Sequence, residues 1–199
     1  YIIRMLLYKN ITMKIIILFI AIISFVQNTY ADIGKETGLE IPRYVSLKSN
    51  DANIRVGPSK NYPIEIKYIK KNYPLKVLEE YEEWRKVEDF KNNIGWIHKS
   101  LISGTRTGII LSSDNKAIRL LNTLNGNVIG EIGEGNIVYL EKCKIDLCLV
   151  ATENFKGWMN KKYIWGVRKN EIINISFLQR FEDLYWRSLN TLTRIQKGF

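Results

Sequence analysis

One histidine and two cysteines in 199 residues exclude several site chemistries before any motif is read. A structural zinc site takes four ligands, mostly Cys and His, and His98, Cys143 and Cys148 fall short of that set. No Ser-His-Asp or Cys-His arrangement can be assembled around His98, which removes the usual nucleophilic hydrolases. Dense Lys/Arg runs are also missing: pairs such as Lys70-Lys71 and Lys161-Lys162 are scattered and offset by Glu79-Glu80 and Glu82-Glu83. Without a focused basic stripe or a recognisable module, nucleic acid is not an expected partner. A bilayer-spanning helix needs about 20 apolar residues. The apolar run from Ile15 to Val26 has 12.

That short run has a telling context. Met13-Lys14 precedes it, a polar stretch follows, and Thr29-Tyr30-Ala31 offers small residues at the third and first positions before a cut. Charge, apolar core and small residues in this order predict a secretory signal peptide, so 1–31 is read as leader, with 1–12 upstream of the true start. The expected location is the periplasm or cell envelope. The formal charge of +10 includes Arg4, Lys9 and Lys14, so the mature chain carries 10 − 3, or +7. Exported and moderately basic, it suits anionic envelope polymers better than nucleic acid.

In an oxidising compartment, Cys143 and Cys148 read as a disulfide. The four residues between them fit a hairpin loop that sets the cysteines opposite each other, about 4.5 Å apart between Cα atoms at a non-hydrogen-bonded pair. A bridge over so short a loop stabilises locally.

From Tyr44 to Val167 the chain alternates apolar and polar residues in short runs such as "PIEIKYIK", "PLKVLEEY" and "WRKVEDF". Gly57-Pro58, Asn72-Tyr73-Pro74, Asn92-Asn93 and Ser103-Gly104 punctuate them. This predicts an all-β module. The order then recurs. Ile54-Arg55-Val56 pairs with Ile118-Arg119-Leu120, Trp84 to Val87 with Leu147 to Val150, and Gly95-Trp96-Ile97 with Gly157-Trp158-Met159. Two tandem units follow, 42–103 and 106–168. In the tail 171–199, Leu178, Phe181, Tyr185, Leu189, Leu192 and Ile195 recur at helical spacing. Its net charge of +1 gives membrane contact through that face little support.

"NIRVGPSKNYP", "WRKV" and "GWIHKSLI", in that order and partly duplicated, resemble the bacterial SH3 family. The second unit is degenerate: it keeps "AIRLL" and "GWMNKKYI" but lacks Gly-Pro after the Arg strand. The resemblance implies two small SH3-like barrels in tandem, each strongly bent and of five to six strands, without enzymatic activity or cofactor. It also places Trp84 where eukaryotic SH3 domains keep a groove tryptophan. His98 and Leu101 stand where those domains have proline and tyrosine, which argues against polyproline ligands.

The candidate binding residues are therefore Trp84 and His98, edged by Tyr62 and Tyr81; no metal or catalytic residues are expected. Leu147, Asn160 and Tyr163 take these places in the second unit, which reads as a structural companion. Trp96 and Trp158, duplicated after glycine, read as core. Arg55, echoed by Arg119, reads as shared scaffold. The acidic run Glu79 to Trp84 reads as a charged hairpin tip, and "GEIGEG" lacks the strand-to-helix context of a phosphate loop. The expected partner is a cell-wall glycan or peptide, or an envelope protein. The alternative is an assembly factor or inhibitor working through a sheet edge.

Overall fold

The computed structural model describes residues 32–112, 116–124 and 126–174. The expected leader, 1–31, and the helical pattern expected from 175 onward lie outside the described residues. Two short strands, β1 (Asp32–Ile33) and β2 (Glu40–Ile41), flank a turn in which the Gly34 amide donates to the Leu39 carbonyl (2.8 Å). The first barrel follows as β3 (Arg43–Leu47), β4 (Ala52–Arg55), β5 (Ile64–Tyr68), β6 (Pro74–Tyr81), β7 (Trp84–Glu88), β8 (Ile94–His98) and β9 (Ile102–Ser103). The second comprises β10 (Thr107–Ile110), β11 (Ile118–Leu121), β12 (Val128–Ile132), β13 (Ile137–Cys143), β14 (Leu147–Ala151), β15 (Lys156–Asn160) and β16 (Ile164–Trp165).

The strand orders are β5-β4-β8-β7-β6-β3-β9 and β12-β11-β15-β14-β13-β10-β16, the same order twice. Each sheet has seven strands rather than the five or six expected, because very short β9 and β16 return to pair with β3 and β10. Each also encloses its own core, so each must bend around it. Leu47, Ile54, Leu75, Val77, Val87 and Ile97 fill the first, and Ile110, Leu120, Val138, Leu140, Val150 and Met159 the second.

Register corrects the repeat alignment read from sequence. Arg55 stands opposite Trp96, whereas Leu121, not Arg119, stands opposite Trp158. Gly95 lies against Ile54, and Gly157 against Leu120. The true correspondence is therefore Asn53 with Arg119 and Arg55 with Leu121. Local Ile-Arg similarity misled, because a shift between Ile54 and Arg55, matched between Leu120 and Leu121, sets the pairing. Arg55 is not a shared scaffold residue.

The barrels meet through β3, β10 and the turns beside them. Tyr44 packs edge-to-face on Trp165 (centroids 5.2 Å apart), with the Arg106 guanidinium 5.7 Å from the Tyr44 ring. The Thr107 hydroxyl donates to the Asn72 carbonyl (2.7 Å), and the Asn72 amide group donates to the Tyr139 oxygen (2.6 Å). Gly166, at φ +114°, lets the chain pass this junction; a Cβ there would sit 2.6 Å from the Thr107 carbonyl.

Equivalent sites on the two barrels are closed by different means. In the first, Glu80 pairs with Arg85 across β6–β7, and the turn preceding β2 folds onto them. The Glu80 carboxylate accepts from the Glu36 and Thr37 amides (2.9 Å each), the Thr37 hydroxyl (2.7 Å) and Arg43 (2.6 Å). Burial pushes Glu80 up, but these bonds override it and hold its pKa at about 2. The acidic run is thus more than a hairpin tip: Glu82 and Glu83 form the tip, while Glu80 is a buried anchor.

In the second barrel the same register holds Cys143 opposite Cys148, joined as a disulfide with Cα atoms 4.1 Å apart. Here the segment after β16 closes the site. Cys143 and Ile173 exchange two backbone hydrogen bonds (3.0 Å each), so Cys143 faces Cys148 as a non-hydrogen-bonded pair. Arg106, the counterpart of Arg43, pairs with Glu171 and donates to the Gly166 carbonyl (2.8 Å). The buried Lys161 ammonium donates to the carbonyls of Lys144 (2.5 Å) and Glu171 (2.7 Å). Burial lowers the pKa of that amine. Thiol titration of denatured protein should find none before reduction and two after. Reduction should cost about 2 kcal/mol, from a loop of about six residues; equal thiol counts would refute the bridge.

Candidate functional site

Alternation along β8 decides which side chains reach the outer face of the first barrel. Gly95 must face inward, because a Cβ there would come within 2.3 Å of an Ile54 methyl. Ile97 shares that inward parity, so Trp96 and His98 point the other way. Trp96 is half-buried and Ile97 fully buried, which corrects the reading of Trp96 as core. Trp158 is half-buried for the same reason, between Gly157 and buried Met159. The parity of the glycine was the available signal.

Around Trp96 the register assembles a row. Arg55 lies opposite it on β4 and Lys86 on β7, and Glu79 faces Lys86 from β6. Lys86 and Glu79 close an ion pair of 2.8 Å. Tyr81 meets Trp96 edge-on at 6.5 Å and is 51 % exposed. One step along the strands, Trp84 stands opposite both Tyr81 and His98.

The sequence-predicted residues are placed as follows. Trp84 is only 8 % exposed, its ring edge-to-face with His98 at 5.4 Å. His98 caps the 3-10 turn Lys99–Leu101: its Nδ1 accepts the Ser100 amide (3.3 Å) and lies 2.7 Å from the Ser100 hydroxyl. Asn160 does the same for the turn Lys161–Tyr163, accepting the Lys162 amide (3.0 Å). Tyr62 covers Gly57, where an added Cβ would collide with its ring, and its carbonyl accepts from Arg55 (2.7 Å). Tyr81, Trp84 and His98 therefore share one patch, and Tyr62 joins through Arg55. Trp96, read as core from the sequence, and Lys86, not singled out there, stand at its centre.

Aromatic faces interleaved with cations suit flat or ring-shaped ligands carrying hydroxyls or negative charge. The corresponding row on the second barrel is Leu121, Trp158, Leu149 and Lys142, in which leucines replace Arg55 and Lys86. Among the described residues no cluster of three His, Cys, Asp or Glu could hold a metal ion.

Residues 48–104 match the family model described as bacterial SH3 domain. No curated protein matches the sequence. Among solved structures, NlpC2 from Trichomonas vaginalis is 9% identical with a TM-score of 0.28, covering 62% of this chain and 48% of its own. An NlpC/P60 family protein from Bacillus cereus ATCC 10987 is 10% identical with a TM-score of 0.27, covering 63% and 56%. The chain thus spans about half the length of these structures.

Proposed function

We propose that this protein is an exported, non-catalytic receptor for a cell-envelope ligand, with peptidoglycan glycan as the first candidate; the match of residues 48–104 to the bacterial SH3 domain model supports a binding module. The outer patch of Arg55, Trp96, Lys86 and Tyr81 carries the reading: it exposes aromatic surface on a rigid sheet, flanked by positive charge. The buried disulfide and the leader-like first 31 residues support export to the periplasm or envelope.

Sedimentation with purified, insoluble peptidoglycan tests it. The protein should pellet at physiological salt, and Trp96→Ala should weaken retention at least about tenfold, as loss of an aromatic anchor does. Trp84→Ala is a poorer probe, since a nearly buried ring also supports the sheet. Recovery in the supernatant at low salt, or an unaffected Trp96→Ala variant, would sink the glycan site. Retention abolished in both proteins by modest salt alone would reassign it to surface charge.

A second reading rests on the sheet edges. β5 and β12 are edge strands at equivalent places, and Ile64, Val128 and Ile129 on them are each at least half exposed. Such edges accept a partner strand. Lysine at Ile64 and Ile129 would block that pairing while leaving peptidoglycan retention intact.

A further inference from the structure

The second barrel carries a groove of about 500 Å³ at the end of β11 and β15. Leu147 takes the place of Trp84, as the pairing Leu147–Asn160 against Trp84–His98 shows. In the first barrel the indole fills this place against His98. A leucine beside an asparagine is far smaller, and the space opens instead. Ile118, Leu121, Leu147 and Met159 supply its apolar surface, while Asn160 and Tyr163 give polar groups along one side.

The charge of the lining is one-sided. Lys116 and Arg119 are cationic, and none of the described lining residues is a carboxylate. Arg119 is exposed and, although Glu131 stands opposite it on β12, makes no ion pair among the described residues. It projects from β11 on the same side as Leu121, two residues on, so its guanidinium flanks the apolar surface. Lys162 lies 4.6 Å from the Tyr163 ring and adds a third positive charge nearby.

We infer that this groove is a second binding site, for a short peptide that presents apolar side chains and ends in a free carboxylate. The apolar surface accepts the side chains, and Arg119 takes the terminal carboxylate, a pairing that guanidinium geometry favours. The volume lies within the ordinary range of ligand sites. This site is independent of the aromatic patch on the first barrel. The second barrel is then a receptor in its own right, and not only a brace.

The test titrates the full chain with N-acetyl-Ala-Leu-Ala as free acid and as C-terminal amide, following side-chain methyl resonances by NMR. The acid should shift Leu121, Leu147 and Met159 saturably, and the amide should bind about tenfold more weakly. Arg119→Gln, at an exposed position, should bring the acid down to the amide's affinity. Leu147→Trp should abolish both, while Trp96→Ala changes neither. Equal binding of acid and amide would overturn the carboxylate site, and so would shifts confined to the first barrel or none at millimolar peptide. Binding that emerges only after removal of 175–199 would overturn it as well, because the groove would then belong to the chain's own tail.

Discussion

Glu80→Ala is expected to lower the unfolding free energy of the first barrel by about 3–5 kcal/mol, the range for breaking one side of a buried ion pair. The glutamate side chain is fully buried, and Arg43 and Arg85 beside it are 15% and 4% exposed. Removing the carboxylate strands two guanidinium groups and frees two backbone amides of the turn preceding β2. Neighbouring Glu79, half exposed and paired with Lys86, should cost less than about 1 kcal/mol when truncated. Urea denaturation of the two variants makes the comparison. Trypsin cleavage at Lys35 should accelerate only in Glu80→Ala. Equal losses in both variants would refute the anchor. The pH dependence has a definite sign. The folded pKa lies below the ordinary 4.5, so this stabilisation is full above that value and is lost as pH falls toward 2.

Asp89→Asn should be the second costly change, at about 2–4 kcal/mol, although it alters almost no volume. Asp89 is 3% exposed, and its two oxygens accept four hydrogen bonds. The donors are the Tyr68 hydroxyl (2.7 Å), the amides of Lys91 (2.8 Å) and Asn93 (2.9 Å), and the Asn93 side chain (2.9 Å). An ionised carboxylate has about four acceptor positions, whereas an asparagine turns an NH2 toward donors. The loss should appear as a lower denaturation midpoint with an unchanged slope. A second readout is specific to the cluster. Burial, then the hydrogen bond and charge of Asp89, raise the Tyr68 pKa well above its ordinary 10. In Asp89→Asn, alkaline titration should show two tyrosines, Tyr68 and Tyr73, ionising closer to that value. Stability from the raised phenol is present below pH 10 and lost above it. An unchanged phenol titration would show that Asp89 does not control Tyr68.

The alternating runs made the strands legible, and "IEIKY" became β5 with its residues stepping inward toward Tyr68. The shared strand order was foreshadowed by the Gly-Trp pairs, since a Cβ at Gly95 or Gly157 would press on the neighbouring strand. The β4–β11 correspondence was not legible, because two residues of register are set by pairing partners and leave no local mark. Glu80 was opaque for a different reason. A carboxylate among carboxylates reads as solvated, and partners distant in sequence, Glu36, Thr37 and Arg43, enclose it. The second-barrel groove escaped notice because it comes from a side chain that is smaller than its counterpart. Pattern reading finds what a residue adds and passes over what it leaves empty.

The closing segments bear on how these units could be cut and moved. The first barrel is finished by residues that precede its strands, and the second by residues that follow its own. A fragment trimmed to strands alone would expose Glu80 in one case and Cys143 in the other. Grafting either unit into another chain would need asymmetric margins, reaching back to about residue 33 for the first and forward to 174 for the second. The two barrels share one strand order, yet they are not interchangeable parts.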